Sequence, residues 1–200
     1  MEPLPGENAQ LRMVPPGRLT MKEYYALRET NPFRSAVLVC LYPFNQSVFT
    51  VMMLRPPKQG VHSDQVSFPG GRFEQADKSL EETALREANE EIGIDPSAVE
   101  VIGTLSPVYI PVSNYLVQPF LGLTPGHPVF SVNELEVTEV IEADCRRLLD
   151  NSIKGQQIFK SGSGSEIEAP FYQVETHKIR GATAMMLSEL EMILREISFA

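Results

Sequence analysis

The sequence predicts an α/β domain built on a mixed β-sheet with helices on its faces. Three observations carry that expectation. Apolar runs of strand length outnumber helical patterns. The helical patterns lie between and after those runs, as they do when helices cover a sheet. The last of them, ATAMMLSELEMILREI, places Met185, Leu187, Leu190, Ile193, Leu194 and Ile197 at helical spacing, so a closing helix has an apolar face to bury.

Taken in order, the first twenty residues are rich in Pro and Gly and read as an irregular arm. Thr20 caps an expected short helix, MKEYYALRE, which Pro32 ends. Arm and helix form a leading segment, 1–33, ahead of the main domain, 34–200. SAVLVCLYPF and SVFTVMML read as two buried strands joined by a hairpin at Asn45 and Gln46. A polar, Pro-rich run over 55–67 leads into Phe68-Pro69-Gly70-Gly71. A helix over 79–92 follows. Ser79 with Glu82 three residues on is a capping box, Glu81 and Glu82 suit the positive end of the helix dipole, and Gly93 supplies a left-handed stop. VEVIGTLSPVYIP and YLVQPFLGL read as further strands, and EVTEVIEADCRRLLD turns from strand alternation to a short helix. A polar hairpin with the tip SGSGS (161–165) precedes the closing helix.

The 26 acidic and 17 basic residues give a formal net charge of -9. That argues against non-specific nucleic-acid binding, while a small anion at a local site stays compatible with it. Cys40 ends the apolar run AVLVC and reads as a buried thiol, and with Cys145 as the other cysteine no disulfide framework is expected. No basic start followed by an apolar run opens the chain, and no apolar stretch reaches membrane-spanning length. The expectation is a cytoplasmic enzyme or binding domain that engages neither nucleic acid nor membrane.

At about 100° per residue, Leu80, Ala84, Leu85, Ala88 and Ile92 share an arc that must face the core. Glu87, Glu90 and Glu91 stand at i, i+3 and i+4, so they cluster on an adjacent arc beside Arg86. A solvated acidic face accounts for the charge but not for its company, a Gly-Gly turn upstream and an adjoining arginine. A hard divalent cation supplies the missing compensation. Mg²⁺ takes oxygen ligands and commonly shares them with a substrate phosphate, and no His/Cys cluster competes for the assignment. Such an ion polarises a phosphoryl oxygen and lowers the pKa of a bound water.

These residues resemble the Nudix box: Gly, five residues, an acid, then Arg-Glu-apolar-any-Glu-Glu-any-Gly-apolar. Here they are Gly71, Asp77 and Arg86-Glu87-Ala88-Asn89-Glu90-Glu91-Ile92-Gly93-Ile94. The second half matches at every fixed position. The first half departs from it, with Asp77 in place of Glu and eight residues instead of seven before Arg86. The resemblance implies a Nudix α/β/α sandwich with a mixed β-sheet. It also implies hydrolysis, with Mg²⁺ or Mn²⁺, of a nucleoside diphosphate linked to another group. Carried over residue by residue, it makes Glu87 and Glu91 the principal metal ligands and Glu90 a third ligand or a base. Arg86 becomes a buried partner that positions the acids.

HSDQVSFPGG (62–71), DKSLEETALREANEEIGI, YIPVSNYLVQPF (109–120), EVTEV (136–140) and IRGATA (179–184) are similar to the coenzyme A pyrophosphatase branch. The longer box with Asp is typical of that branch. The implied substrate is CoA or acyl-CoA, cut to adenosine 3',5'-bisphosphate and (acyl-)phosphopantetheine. Two positions depart: Gly60 and Asp64 stand where the branch carries Arg and Gly. An alternative is a pyrophosphatase for ADP-ribose or another nucleoside diphosphate derivative. An alternative of another class is a non-catalytic nucleotide- or CoA-binding module, against which the intact Glu87, Glu90 and Glu91 argue.

Glu136 and Glu139 lie where Nudix enzymes often place a later acid that binds metal or activates water, and either reads equally well as a solvent-facing acid. Arg55, with Lys58, is a basic candidate for a substrate phosphate. His62 reads as a loop or substrate contact. Gly70 and Gly71 let the backbone turn sharply and approach the substrate. His127 and His177 have no partner pattern and read as surface residues. Met185, Met186 and Met192 read as core or as a dimer surface, so a homodimer is one expected arrangement.

Overall fold

The structure is a computed structural model that describes residues 4–15, 31–57, 65–160 and 166–198. The expected helix MKEYYALRE, the 161–165 tip, and Lys58, Gly60, His62 and Asp64 lie outside the described residues.

Strand β1 (Phe33–Phe44) is the spine of an eight-stranded mixed sheet. It turns back into β2 (Ser47–Leu54) at Asn45 and Gln46, both in the left-handed region at φ 47° and 59°. That pair of positive φ values matches the right-handed twist of a two-residue hairpin. On its other side β1 runs parallel to β7 (Tyr115–Leu123), Phe33 opposite Tyr115 through Leu41 opposite Leu123. β4 (Gly70–Arg72) lies antiparallel to the first half of β1, with Ala36 opposite Gly71. β3 (Val66–Ser67) and β8 (Glu139–Asp144) pair with β2, and β5 (Glu100–Thr104) and β6 (Val108–Ile110) with β7. A separate three-stranded antiparallel sheet comprises β9 (Lys154–Lys160), β10 (Glu166–Val174) and β11 (His177–Ile179).

Four α-helices complete the described residues: α1 (Gly6–Gln10), α2 (Leu80–Ile92), α3 (Cys145–Leu148) and α4 (Gly181–Ser198). The period-2 alternation of β1 decides which helix covers which face. Ala36, Leu38, Cys40 and Tyr42 pack with Ala84, Ala88 and Ile92 of α2. Val39, Leu41 and Met52 pack with Met186, Leu187 and Leu190 of α4. The result is the expected α/β/α sandwich, with two cores divided by one sheet. Each large apolar side chain buried this way contributes roughly 1.5–3 kcal/mol relative to exposure.

Two expectations need correction. Residues 4–15 are not an irregular arm. α1 and the 3₁₀ turn Leu11–Met13 dock on α4 and bury Ala9, Gln10 and Met13. Glu189 of α4, fully buried, fastens them by accepting from the Gly6 N–H and the Gln10 amide. Because this segment covers its far side, α4 is buried around its circumference from Thr183 to Glu191, not along one stripe. Met185 and Met186 belong to the core, whereas Ile197 is exposed. His127 is exposed, as expected, and His177 is half-buried; their Nε2 atoms meet Glu142 at 2.6 Å and Glu139 at 3.2 Å. No helix among the described residues is long and apolar enough to cross a membrane.

Candidate active site

The helix that carries the acids is set by its ends. Ser79 Oγ accepts from the Glu82 N–H at 3.1 Å, and Glu82 reaches back to the Lys78 N–H, one residue before its expected partner. Gly93 closes the helix at φ 76°, with its N–H bonded to the Asn89 carbonyl. Between these ends Arg86 organises the acidic arc. Its Nε and Nη2 donate to Asp77 Oδ1 and Oδ2 at 2.8 and 3.1 Å, a two-pronged bond. Its Nη1 donates to Glu87 Oε1 and Glu90 Oε2, both at 3.0 Å.

Asp77 is buried and fully employed. Besides Arg86 it accepts from Thr83 Oγ1 at 2.8 Å and from the Glu74 N–H at 3.0 Å. The Arg86 guanidinium foremost, and then the other donors, hold its carboxyl well below the usual carboxylate range despite burial. The same partnership pushes Arg86 upward.

The Gly-Gly turn is fitted against the helix atom by atom. The Gly70 N–H donates to Glu91 Oε2 at 2.8 Å. Gly70 sits at φ 154°, and a Cβ there would meet the Ala36 carbonyl oxygen at 2.3 Å. A Cβ on Gly71 would stand 2.3 Å from the Glu87 carboxylate. Both glycines are therefore required by close approach, Gly70 to backbone and Gly71 to a candidate ligand. Arg55 completes the layer, with one Nη2 bonded to Glu91 Oε1 and to the Gly70 carbonyl, each at 2.9 Å, and its Nε on Ser67 Oγ at 3.3 Å.

The three helix acids thus occupy graded environments. Glu91 is buried at 1% exposure, the Glu87 side chain retains 14%, and that of Glu90 retains 54%. Burial raises Glu87 above its ordinary range and pushes Glu91 up to about 7, against the lowering effect of Arg86 and Arg55 respectively. The exposed Glu136 adds its charge to the rise at Glu91. It is brought near because the loop before β8 is tied to the end of α2, the Asn133 and Ser131 N–H groups donating to the Glu91 and Ile92 carbonyls. Glu139 instead pairs with His177.

Among the described residues, no three His, Cys, Asp or Glu side chains converge as a ready-made metal cage. The donor chemistry nevertheless fits a hard cation. Asp77, Glu87, Glu90, Glu91 and Glu136 are balanced by Arg55 and Arg86 alone among the contacts described, and two of those acids are raised by burial. A carboxylate excess that is partly buried and offers oxygen donors only is the environment that Mg²⁺ or Mn²⁺ neutralises.

The structure thus groups Glu87, Glu90, Glu91, Arg86, Arg55, Gly70 and Gly71, with Glu136 nearby. Sequence reasoning passed over two supports. Thr83 under Asp77 gives no pattern of its own; Ser67, which steadies Arg55, gives only its place in SFPGG.

The NUDIX domain family model matches residues 32–146. Among curated proteins, the chain is 34% identical over 159 residues to the "Uncharacterized Nudix hydrolase NudL" of Escherichia coli O7:K1, covering 74% of this chain and 81% of that protein. The protein of the same description from Shigella boydii serotype 4 is 33% identical over the same shares. Among solved structures, the NUDIX domain of Shewanella oneidensis NrtR, complexed with ADP ribose, shares the fold at 14% identity and a TM-score of 0.55. It covers 88% of this chain and 99% of that one. With the box, the sandwich and the family match in agreement, the chain belongs to the Nudix family.

Proposed function

We propose that this Nudix protein uses a divalent metal to hydrolyse the pyrophosphate of CoA or acyl-CoA, giving adenosine 3',5'-bisphosphate and (acyl-)phosphopantetheine. The carrying observation is the two-pronged bond between Arg86 and Asp77. The longer box with Asp, which resembles the CoA pyrophosphatase branch, thereby has a physical use. The shorter acid stands one residue further back and still reaches the arginine.

Glu87 and Glu91 would hold the ion, with Glu90 as a third donor. When bound, it supplies charge for a phosphoryl oxygen and lowers the pKa of a water. Arg86 fixes Glu87 and Glu90 relative to each other, so the ligand set is oriented before substrate arrives. Water attacks one phosphorus and a phosphoester leaves. Glu90, the most exposed of the three, or Glu136, whose charge is felt at Glu91, accepts the water's proton. The turn at Gly70 and Gly71 keeps side-chain bulk away from the reacting centre, and Arg55 and His62 are the proposed substrate contacts.

The experiment is a comparison of kcat/KM for CoA, 3'-dephospho-CoA and ADP-ribose, with and without Mg²⁺. Measurable CoA turnover that improves with Gly60→Arg plus Asp64→Gly supports the reading. A specific feature favours the second reading, a pyrophosphatase for ADP-ribose or a related nucleoside diphosphate derivative. Gly60 and Asp64 stand where the CoA branch carries Arg and Gly, so this loop has one cation fewer and one anion more to offer a 3'-phosphate. A clear preference for ADP-ribose, unmoved by the double substitution, transfers the assignment.

A further inference from the structure

Arg55 is placed unusually for a phosphate contact. Its guanidinium is turned inward, and a single nitrogen, Nη2, lies 2.9 Å from both Glu91 Oε1 and the Gly70 carbonyl oxygen. Two oxygens from different elements, α2 and β4, therefore converge on one point, and a cation of this chain occupies it. The other oxygen of Glu91 is held by the Gly70 N–H, so the carboxylate is oriented from both ends. Nε rests on Ser67 Oγ at 3.3 Å, a long bond, and the Arg55 side chain keeps 29% of its surface exposed. The residue is thus anchored lightly and has solvent to move into.

We propose that Arg55 is a resident cation of the metal site, exchanging places with the divalent ion and then turning to a substrate phosphate. This rests on the reading of the site as metal-binding. A dication and a guanidinium within 2.9 Å of the same two oxygens exclude each other by repulsion and by volume. The exchange leaves Glu91 with a cationic partner in both states: Arg55 before the metal arrives, the metal afterwards. The released guanidinium, still tethered at the end of β2 beside the Gly-Gly turn, is planar and forked, the geometry that suits a phosphate oxygen pair. The metal thereby prepares the substrate subsite, and an empty metal site holds its own anion-binding residue out of use.

The test is made on the full chain at pH 8.5, where proton competition for the carboxylates is small. In wild type, the Arg55 Nε–H resonance, assigned by its loss in Arg55→Lys, is followed as Mg²⁺ is added without substrate. Movement of that signal toward the position of an unpaired arginine, saturating with the metal, is expected. Arg55→Met keeps the side chain's bulk and removes its charge. Its Mg²⁺ dissociation constant, by titration calorimetry, should fall roughly tenfold, the scale of one charge-assisted contact that no longer has to be broken. At saturating Mg²⁺ its KM for substrate should rise roughly tenfold while kcat changes little. A static Nε–H signal with unchanged or weaker Mg²⁺ affinity in Arg55→Met overturns the exchange and leaves the metal reading intact. An unchanged KM overturns the substrate step. Absence of Mg²⁺ binding by wild type overturns both this inference and the reading it rests on.

Discussion

Arg86 and Asp77, nine residues apart, meet through two parallel hydrogen bonds of 2.8 and 3.1 Å. The arginine's remaining nitrogen reaches Glu87 and Glu90. One guanidinium therefore connects the loop before the helix to the acids on it. The stability of the turn and the geometry of the site are coupled through that single side chain.

Removing Asp77 takes the acceptor from the Arg86 Nε and the shorter of two hydrogen bonds from Thr83 Oγ1. Asp77→Ala should cost about 2–3 kcal/mol of stability, with a loss of activity as Glu87 and Glu90 lose their common anchor. Arg86→Lys should lower both as well, because an ammonium cannot reproduce the fork. Denaturant unfolding alongside turnover measures this. Unchanged unfolding with vanished activity would show that Arg86 contacts substrate instead.

The depressed pKa of Asp77 fixes the sign of an acid effect. A carboxyl lowered in the folded state contributes stability above its unfolded pKa, near 4, and loses it as pH falls through the folded value. Wild type should lose stability below about pH 4 more steeply than Asp77→Asn. Thermal melts from pH 5 to pH 2 compare the two slopes.

Glu91 has the opposite sign. Its carboxyl, pushed up to about 7 by burial, binds a proton in the folded state where the unfolded chain has released it. In chelated protein its contribution is fully present below about pH 4.5 and is lost as pH rises through about 7, by a few kcal/mol at most. Glu91→Gln should flatten that decline, keep the fold, and reduce kcat by orders of magnitude. Wild-type turnover in Glu91→Gln at saturating Mg²⁺ would remove Glu91 from the site.

The two glycines should separate stability from activity. Gly70→Ala drives a Cβ against the Ala36 carbonyl at a φ that side chains rarely adopt, and should destabilise by about 2–4 kcal/mol. At Gly71 the three atoms nearest an added Cβ all belong to the Glu87 carboxylate, the far end of a flexible side chain. Gly71→Ala should leave the melting temperature nearly unchanged and lower kcat roughly ten- to a hundredfold by displacing that carboxylate. Equal melting losses in the two variants would contradict this division.

Deleting residues 1–15 should lower the melting temperature by several degrees, because Ala9, Gln10 and Met13 are buried and Glu189 loses its Gly6 and Gln10 donors. An unaltered melt would show that the docking contributes nothing to stability.

Local chemistry was legible in the sequence. The hairpin at Asn45 and Gln46, the helix from its Ser79 cap to its Gly93 stop, and the acidic arc of Glu87, Glu90 and Glu91 follow from turn preferences, capping and the helical repeat, each spanning a few residues. What depended on distant segments was not. Within ATAMMLSELEMILREI Glu191 has one donor, Arg195 four residues on, a spacing that is ordinary on a helix surface; the burial of Glu189 and Glu191 depends on donors from residues 6, 10 and 106 and from Lys154 and Tyr172. The spacing named Asp77, but only packing showed it closing on Arg86 with both oxygens. Arg55 read as a basic candidate for a substrate phosphate, and the pairing of β2 with β3 beside β4 sets it against Glu91. The identity of the acids is a property of the helix. Their graded burial, from Glu90 in solvent to Glu91 beneath the Gly-Gly turn, is decided by the sheet against which the helix packs, because desolvation depends on neighbours that the helix does not encode.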